Sequence, residues 1–205
     1  MITIIDYGVG NLFSLISSLK SLGADVKVSN KKEDVLSANK IILPGVGAFG
    51  DAKEKLEATG LIPYIKEAVK RGTPLLGICL GMQLLFEKSY EYGEHEGLGF
   101  IKGEVKDLKS DLEKAGFNYK VPEMGWNYLS FVGKSPLLKY IKDGDYVYFV
   151  HSYHAVNCTE NLVAVTNYGI PVTALVQNGN VFGAQFHPEK SGEIGLNILR
   201  AFFEL

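Results

Sequence analysis

The sequence predicts an α/β fold: three layers, a mostly parallel central sheet flanked by helices, and antiparallel additions in the C-terminal half. Three observations carry that prediction. Short apolar runs alternate with helical patterns through the N-terminal half, the mark of parallel strands joined by crossover helices. After Gly93 the texture changes to short strand-like runs joined by loops. Asn178-Gly179 then stands between two apolar runs, a strong signal for a tight hairpin.

The elements follow in order. Ile2 to Ile5 is a first strand, and Tyr7-Gly8-Val9-Gly10-Asn11 turns the chain, with Asn11 available as an N-cap. Leu12, Leu15, Ile16, Leu19 and Leu22 recur at helical spacing until Gly23 stops them. Val26 to Val28 reads as a short edge strand, and Lys40 to Leu43 as another that runs into Pro44-Gly45-Val46-Gly47-Ala48-Phe49-Gly50. Helices are expected around Ala52–Ala58 and Ile62–Arg71, punctuated by Gly60 and Gly72. Pro74 to Ile78 is a buried strand ending at Cys79, and Gly81 to Phe86 opens a helix. Strands are expected at Glu104–Leu108, Tyr128–Phe131, Tyr146–His151, Leu162–Asn167, Val172–Gln177 and Val181–Phe186, with a closing helix over Ile194–Phe203. Residues 1–205 show no repeat, linker or low-complexity segment, so one domain is expected.

Composition narrows the function classes. A net charge of -2 with mixed signs gives no electrostatic footprint for nucleic acid or an anionic membrane. No stretch of about 18 apolar residues exists to make a transmembrane span. The N-terminus reaches Asp6 without a basic region, which is not the pattern of a secretory leader. The two cysteines, Cys79 and Cys158, sit in settings that argue against pairing, so a reducing, cytoplasmic location is expected.

The sharpest local feature is Gly77-Ile78-Cys79-Leu80-Gly81, the cysteine version of a nucleophile elbow. Small flanking residues allow the tight strand-to-helix turn. That turn lifts the sulfur above the sheet edge and aims the first helical N–H groups, including that of Leu80, at an attacked carbonyl. The positive end of the helix is expected to favour thiolate over thiol. A buried structural cysteine is the plainer alternative, and the paired glycines tell against it.

A thiolate nucleophile needs a base and a proton donor. Of the four histidines, His187 ends the last strand and is followed by Pro188-Glu189. Proline keeps His187 extended, and residues two apart in an extended segment share a face, which places Glu189 beside the imidazole. A carboxylate there can fix the tautomer and stabilise the imidazolium, as in a triad. His151 and His154, three apart on a strand, point to opposite faces, so no metal site is expected. The loop Pro44–Gly50 lacks the G-K-[ST] ending of a phosphate cradle, and Gly8-Val9-Gly10 lacks the third glycine of a dinucleotide fingerprint. Beside an elbow, the Pro44–Gly50 loop can instead supply a second oxyanion donor, typically worth about 3 kcal/mol.

Together these residues resemble the class I, triad-type glutamine amidotransferases, whose three motifs occur here in the same order. Longer matches at Gly45–Gly50, Gly77–Phe86, Met124–Asn127, Tyr148–Tyr153 and Gln185–Ser191 resemble the glutaminase subunits of imidazole glycerol phosphate synthases and cover essentially the whole chain. The resemblance implies a flavodoxin-like core and a Cys79, His187, Glu189 triad that hydrolyses glutamine through a glutamyl thioester. It implies oxyanion contacts from the backbone of Gly45, Val46, Gly47 and Leu80. Gln83 and Glu91 are implied at the amino-acid end of glutamine, with backbone contacts from Gly47, Ser152 and Tyr153. Read without the resemblance, Gln83 is an ordinary helix residue and Glu91 a solvated charge.

No cofactor is implied. The implied partner is a cyclase subunit with a (β/α)₈ barrel, forming a heterodimer, with Asn11, Trp126 and Tyr148 at the interface. Trp126 fits a binding hot spot or, as readily, a core filler. Histidine is usual in the family where this chain has Glu123, a position expected near the interface. A paralogue that feeds ammonia to a different cyclase-like partner, for amidine formation on surface sugars, is therefore the alternative. A cysteine peptidase, a DJ-1-like hydrolase and a non-catalytic interaction protein fit the late His-Pro-Glu and the intact triad less well. Gly45 and Gly47 permit a peptide flip, so the isolated chain is expected to be a weak glutaminase.

Overall fold

The computed structural model describes residues 1–10 and 12–205; Asn11, expected as an N-cap and as an interface residue, lies outside the described residues. The first half alternates as its pattern requires: β1 (Ile2–Ile5), α1 (Leu12–Ser21), β2 (Val26–Ser29), α2 (Lys32–Leu36), β3 (Lys40–Leu43), α3 (Phe49–Ala58), α4 (Ile62–Lys70) and β4 (Leu75–Ile78). The second half continues with α5 (Leu80–Gln83), β5 (Phe86–Ser89), β6 (His95–Glu96), β7 (Ile101–Asp107), α6 (Leu108–Lys114), β8 (Glu123–Tyr128) and β9 (Ser130–Phe131). It closes with β10 (Tyr146–His151), β11 (Tyr153–Val156), β12 (Leu162–Tyr168), β13 (Ile170–Asn178), β14 (Val181–Ala184) and α7 (Gly192–Phe203).

Among the described residues the main sheet has eight strands, in the order β2, β1, β3, β4, β14, β13, β12, β9. The first five run parallel and the last three antiparallel, so the predicted sheet and its C-terminal additions are both present. Side chains alternate between the two faces of the central strands. Ile42 of β3 and Leu76 of β4 pack with Leu15, Leu19, Ile198 and Phe202 of α1 and α7. Ile41, Leu43 and Leu75 pack instead with Val35, Leu56 and Ile65 of α2, α3 and α4. Burying each such side chain is worth roughly 2 kcal/mol.

Smaller sheets carry the rest. β8 pairs with β10, and β11, β7, β5 and β6 form a separate four-stranded sheet. Asn178 pairs with Val181, so the hairpin loop is Gly179-Asn180, one residue later than the dipeptide suggests. The expected helix through Phe86 is shorter than the sequence implies: α5 is a single turn, and Phe86 already belongs to a strand. The macrodipole of so short a helix is small, so the elbow's electrostatics rest on individual N–H groups.

Strands β1, β3, β4 and β14 end on the same side of the sheet. In an open parallel sheet, ligands bind outside the carboxyl ends of the strands, near the point where the strand order reverses. Here that reversal lies between β1 and β3, and the loops leaving β1, β3, β4 and β14 carry Tyr7, Pro44–Gly47, Cys79 and His187.

Candidate active site

Cys79 joins β4 to α5 in a conformation that L-residues seldom adopt, with φ 53° and ψ −112°. Strain of this kind persists only where the surroundings over-determine it. They do so here through glycines. A Cβ on Gly77 would lie 2.6 Å from the Gly81 carbonyl oxygen, and one on Gly81 would collide with the Leu43 carbonyl of β3. Gly45 meets the elbow from the other side, where a Cβ would be 2.8 Å from both the Gly81 nitrogen and the Tyr7 hydroxyl. The glycines therefore let the elbow and the β3 loop touch backbone to backbone. Tyr7 fastens that loop by donating a 2.6 Å hydrogen bond to the Pro44 carbonyl. Burial, and then the nearby Cys79, push the Tyr7 phenol far above its ordinary value, so it remains a donor.

His187 is extended, at φ −100° and ψ 98°, and its Nδ1 lies 2.8 Å from Glu189 Oε1. The expected partnership is present, but the cause differs from simple strand alternation. Pro188–Lys190 is a turn of 3₁₀ helix, and that turn swings Glu189 back beside the ring. Ser191 completes the mount: its Oγ donates to the His187 carbonyl at 2.6 Å and accepts from the Tyr148 N–H at 2.9 Å. Burial disfavours the charged ring, yet hydrogen bonding to the Cys79 sulfur and then to Glu189 outweighs it and raises the imidazole to about 9. Nδ1 is held by the carboxylate, so Nε2 is the ring atom left for the sulfur.

A pocket of about 360 Å³ opens over the sulfur. Val46, Gly47, Cys79, Leu80, Gln83 and Glu91 line one part of it, and Ser152, Tyr153 and His187 line another. Gly45 is set behind them, beside a small void that also touches His187 and Glu189. Glu91 is not the solvated charge its sequence context suggests: it is 8% exposed, and its Oε2 accepts the Phe49 N–H at 2.7 Å at the start of α3. Burial raises its carboxyl, and the Phe49 contact partly offsets this. Gln83 is likewise buried; its Nε2 lies 3.0 Å from the Tyr153 carbonyl and 3.0 Å from Gln185 Oε1.

Trp126 is 56% exposed and meets Tyr148 edge-on at 6.1 Å across the β8–β10 pair, which excludes the core-filler reading. Met124, 64% exposed, extends the same patch. Glu123 departs from expectation: it is 2% exposed and turned inward against His151, away from the surface that Met124 and Trp126 present. Strand alternation along β8 is the reason. His151 and His154 answer to different carboxylates, Glu123 and Asp111, each at 3.1 Å. Both cysteines are free.

Sequence reasoning overlooked Tyr7 and Gln185. Tyr7 carries no local signal beyond its place at the end of β1. Gln185 sits two residues before His187, where the chain's chemistry was read from the histidine onward.

A strained cysteine elbow, a buried His–Glu pair and a backbone-lined loop at the carboxyl edge of a parallel sheet define an acyl-transfer site of the thiol type. The family model for class-I glutamine amidotransferases matches residues 3–205, and this chain belongs to that family. Its relatives narrow the class further. Imidazole glycerol phosphate synthase subunit HisH of Wolinella succinogenes is 47% identical over 206 residues, spanning 100% of both chains. The protein of the same name from Bacillus subtilis is 52% identical, spanning 100% of this chain and 96% of its own. Among solved structures, a glutamine amidotransferase crystal structure shares the fold at TM-score 0.75 and 22% identity, covering 100% of this chain and 98% of the other. PurLQS from Thermotoga maritima does so at TM-score 0.74 and 22% identity, covering 99% and 97%.

Proposed function

We propose that this chain hydrolyses glutamine at Cys79 and delivers the ammonia to a cyclase subunit that forms imidazole glycerol phosphate and AICAR in histidine biosynthesis. The observation that carries the reading is the buried His187, held 2.8 Å from Glu189 and lining the same pocket as Cys79. The thiolate attacks the side-chain amide carbon, and the developing oxyanion takes N–H bonds from Leu80 and from the Pro44–Gly47 loop. The C–N bond breaks as His187 gives its proton to the departing nitrogen, leaving ammonia and a γ-glutamyl thioester. His187 then takes a proton from water, which attacks the thioester; glutamate leaves and the proton returns to sulfur. Gln83, Glu91, Ser152 and Tyr153 hold the amino-acid end.

The partner is a (β/α)₈-barrel subunit in a cytoplasmic heterodimer, seated on the Trp126–Tyr148 patch. No helix of the described residues is long and apolar enough to cross a membrane. A sugar-modifying paralogue is not favoured: relatives named for the histidine enzyme share about half of the residues over the whole chain, and Glu123 is buried, turned away from the proposed docking patch.

The test is glutamate release by the chain alone and with a barrel cyclase plus its phosphoribosyl substrate, beside Cys79→Ala. Stimulation by the partner that disappears in the variant is expected. Release that survives Cys79→Ala would remove the proposed nucleophile, and release unmoved by the cyclase would remove the proposed partner.

A further inference from the structure

The sulfur of Cys79 has a neighbour that the triad leaves unused. Ala184 of β14 pairs with Ile78 of β4, so the next residues along each strand, Gln185 and Cys79, stand side by side. Gln185 is fully buried, and its Nε2 lies 3.8 Å from Sγ, within hydrogen-bonding reach of a sulfur atom.

An amide side chain can present either its oxygen or its NH₂, and the two have opposite effects on a thiolate. The surrounding contacts decide which one faces the sulfur. The Tyr153 carbonyl can only accept, so the Gln83 atom 3.0 Å from it is the NH₂. That same nitrogen lies 3.0 Å from one end of Gln185, which must therefore be the oxygen. The other end of Gln185 is then the NH₂, and it points at Cys79. The Val150 carbonyl, 3.8 Å from Sγ on another side, accepts from the thiol form and offers the thiolate nothing.

We propose that Gln185 is a catalytic residue whose carboxamide donates an N–H to the Cys79 thiolate, with Gln83 and the Tyr153 carbonyl fixing which end of the amide faces the sulfur. The donor favours the charged nucleophile before glutamine arrives, and again when the thioester collapses and the sulfur leaves as thiolate. Gln83 thereby acts on both substrate and nucleophile, as a pocket wall and as the positioning residue for Gln185. The proposal rests on Cys79 being the nucleophile of the proposed glutaminase. Its test reads the sulfur directly, without glutamine turnover, so the two can fail separately.

The experiment measures the rate of Cys79 alkylation by iodoacetamide across pH, in the full chain, by mass spectrometry of the Cys79 peptide. Gln185→Met keeps the side-chain length and removes the donor. Gln83→Met keeps Gln185 and removes the lock on its orientation. At neutral pH, alkylation of Gln185→Met is expected to slow roughly tenfold, the rate equivalent of one hydrogen bond to a charged group, and its pH dependence to move upward. Gln83→Met is expected to slow by about threefold, less because Gln185 still samples the donating orientation. In the complex, kcat of Gln185→Met should fall with the alkylation rate while KM for glutamine changes by about twofold or less. Alkylation within about twofold of the parent in Gln185→Met overturns the proposal. Should that variant not fold, unchanged alkylation in Gln83→Met overturns it equally.

Discussion

Glu123 Oε2 lies 3.1 Å from His151 Nε2, and the two side chains are 3% and 2% exposed. The two atoms approach without an aligned hydrogen bond, while Asn127 donates to the other carboxylate oxygen at 3.0 Å and His151 Nδ1 faces the Tyr153 carbonyl at 2.9 Å. Removing one member of a buried pair strands the other in a low dielectric. Glu123→Ala should therefore cost about 3 kcal/mol, read from the urea midpoint, whereas Glu123→Leu combined with His151→Leu should cost far less. Equal losses in the single and double variants would mean that packing, not the buried polar pair, sets the stability of β8 on β10.

The raised imidazole of His187 fixes the sign of a pH dependence. Its folded value, about 9, lies above the ordinary histidine value, so protonation stabilises the fold. That contribution is complete below about 6.5, the unfolded value, and is lost as pH rises through about 9. Glutamate release should fall over the same upper limb, because the ring must carry the proton that ammonia takes away. Glu189→Gln should bring the limb to lower pH. A limb unmoved by that change would detach Glu189 from the proton's energetics.

Tyr7→Phe removes one hydroxyl and little else. The expected result is a loss of about 1 kcal/mol in stability, a several-fold lower kcat and a nearly constant KM, because the lost bond holds the oxyanion loop and does not reach the substrate wall. A KM effect larger than the kcat effect would place Tyr7 in binding.

Gly81→Ala puts a methyl group into the Leu43 carbonyl, and backbone cannot swing aside as a long side chain would. A loss of about 3 kcal/mol or more is expected, measured by thermal unfolding. A fully stable variant would mean that the contact between the elbow and the β3 loop is looser than the geometry requires.

If the proposed cyclase subunit docks on the Trp126–Tyr148 patch, Trp126→Ala should weaken its binding by about tenfold or more, while leaving the alkylation rate of Cys79 unchanged. Titration of the two subunits measures the first and mass spectrometry the second.

Much of the fold was legible because the residues repeat themselves: the alternating runs before Cys79 and the hairpin after Asn178 each state their geometry locally. The cysteine elbow and the His187–Glu189 pair of the proposed triad were legible for the same reason, since each lies within a few residues of sequence. What escaped was fixed by distant contacts. The helix after the elbow ends after a turn because Phe86 joins β7, and no propensity near Gln83 announces that. Glu91 looks solvated until Phe49, forty-two residues away, donates to it. Gln185 acquires meaning only once β14 is laid beside β4.

Both hydrogens of the Gln83 amide are directed inward, to Tyr153 and Gln185, and this has a consequence for what the pocket admits. The atom left to face a ligand is Oε1, which receives hydrogen bonds and gives none. Glu91 beside it is likewise a receiver. In the proposed binding mode a wall made of two such groups would select for positive charge, accepting an ammonium group and disfavouring a keto group or acylated nitrogen in its place. If Gln83 and Glu91 hold the amino-acid end as proposed, free glutamine is expected to be hydrolysed and 2-oxoglutaramate, with the same reactive amide, to be left intact, as glutamate and 2-oxoglutarate release would show.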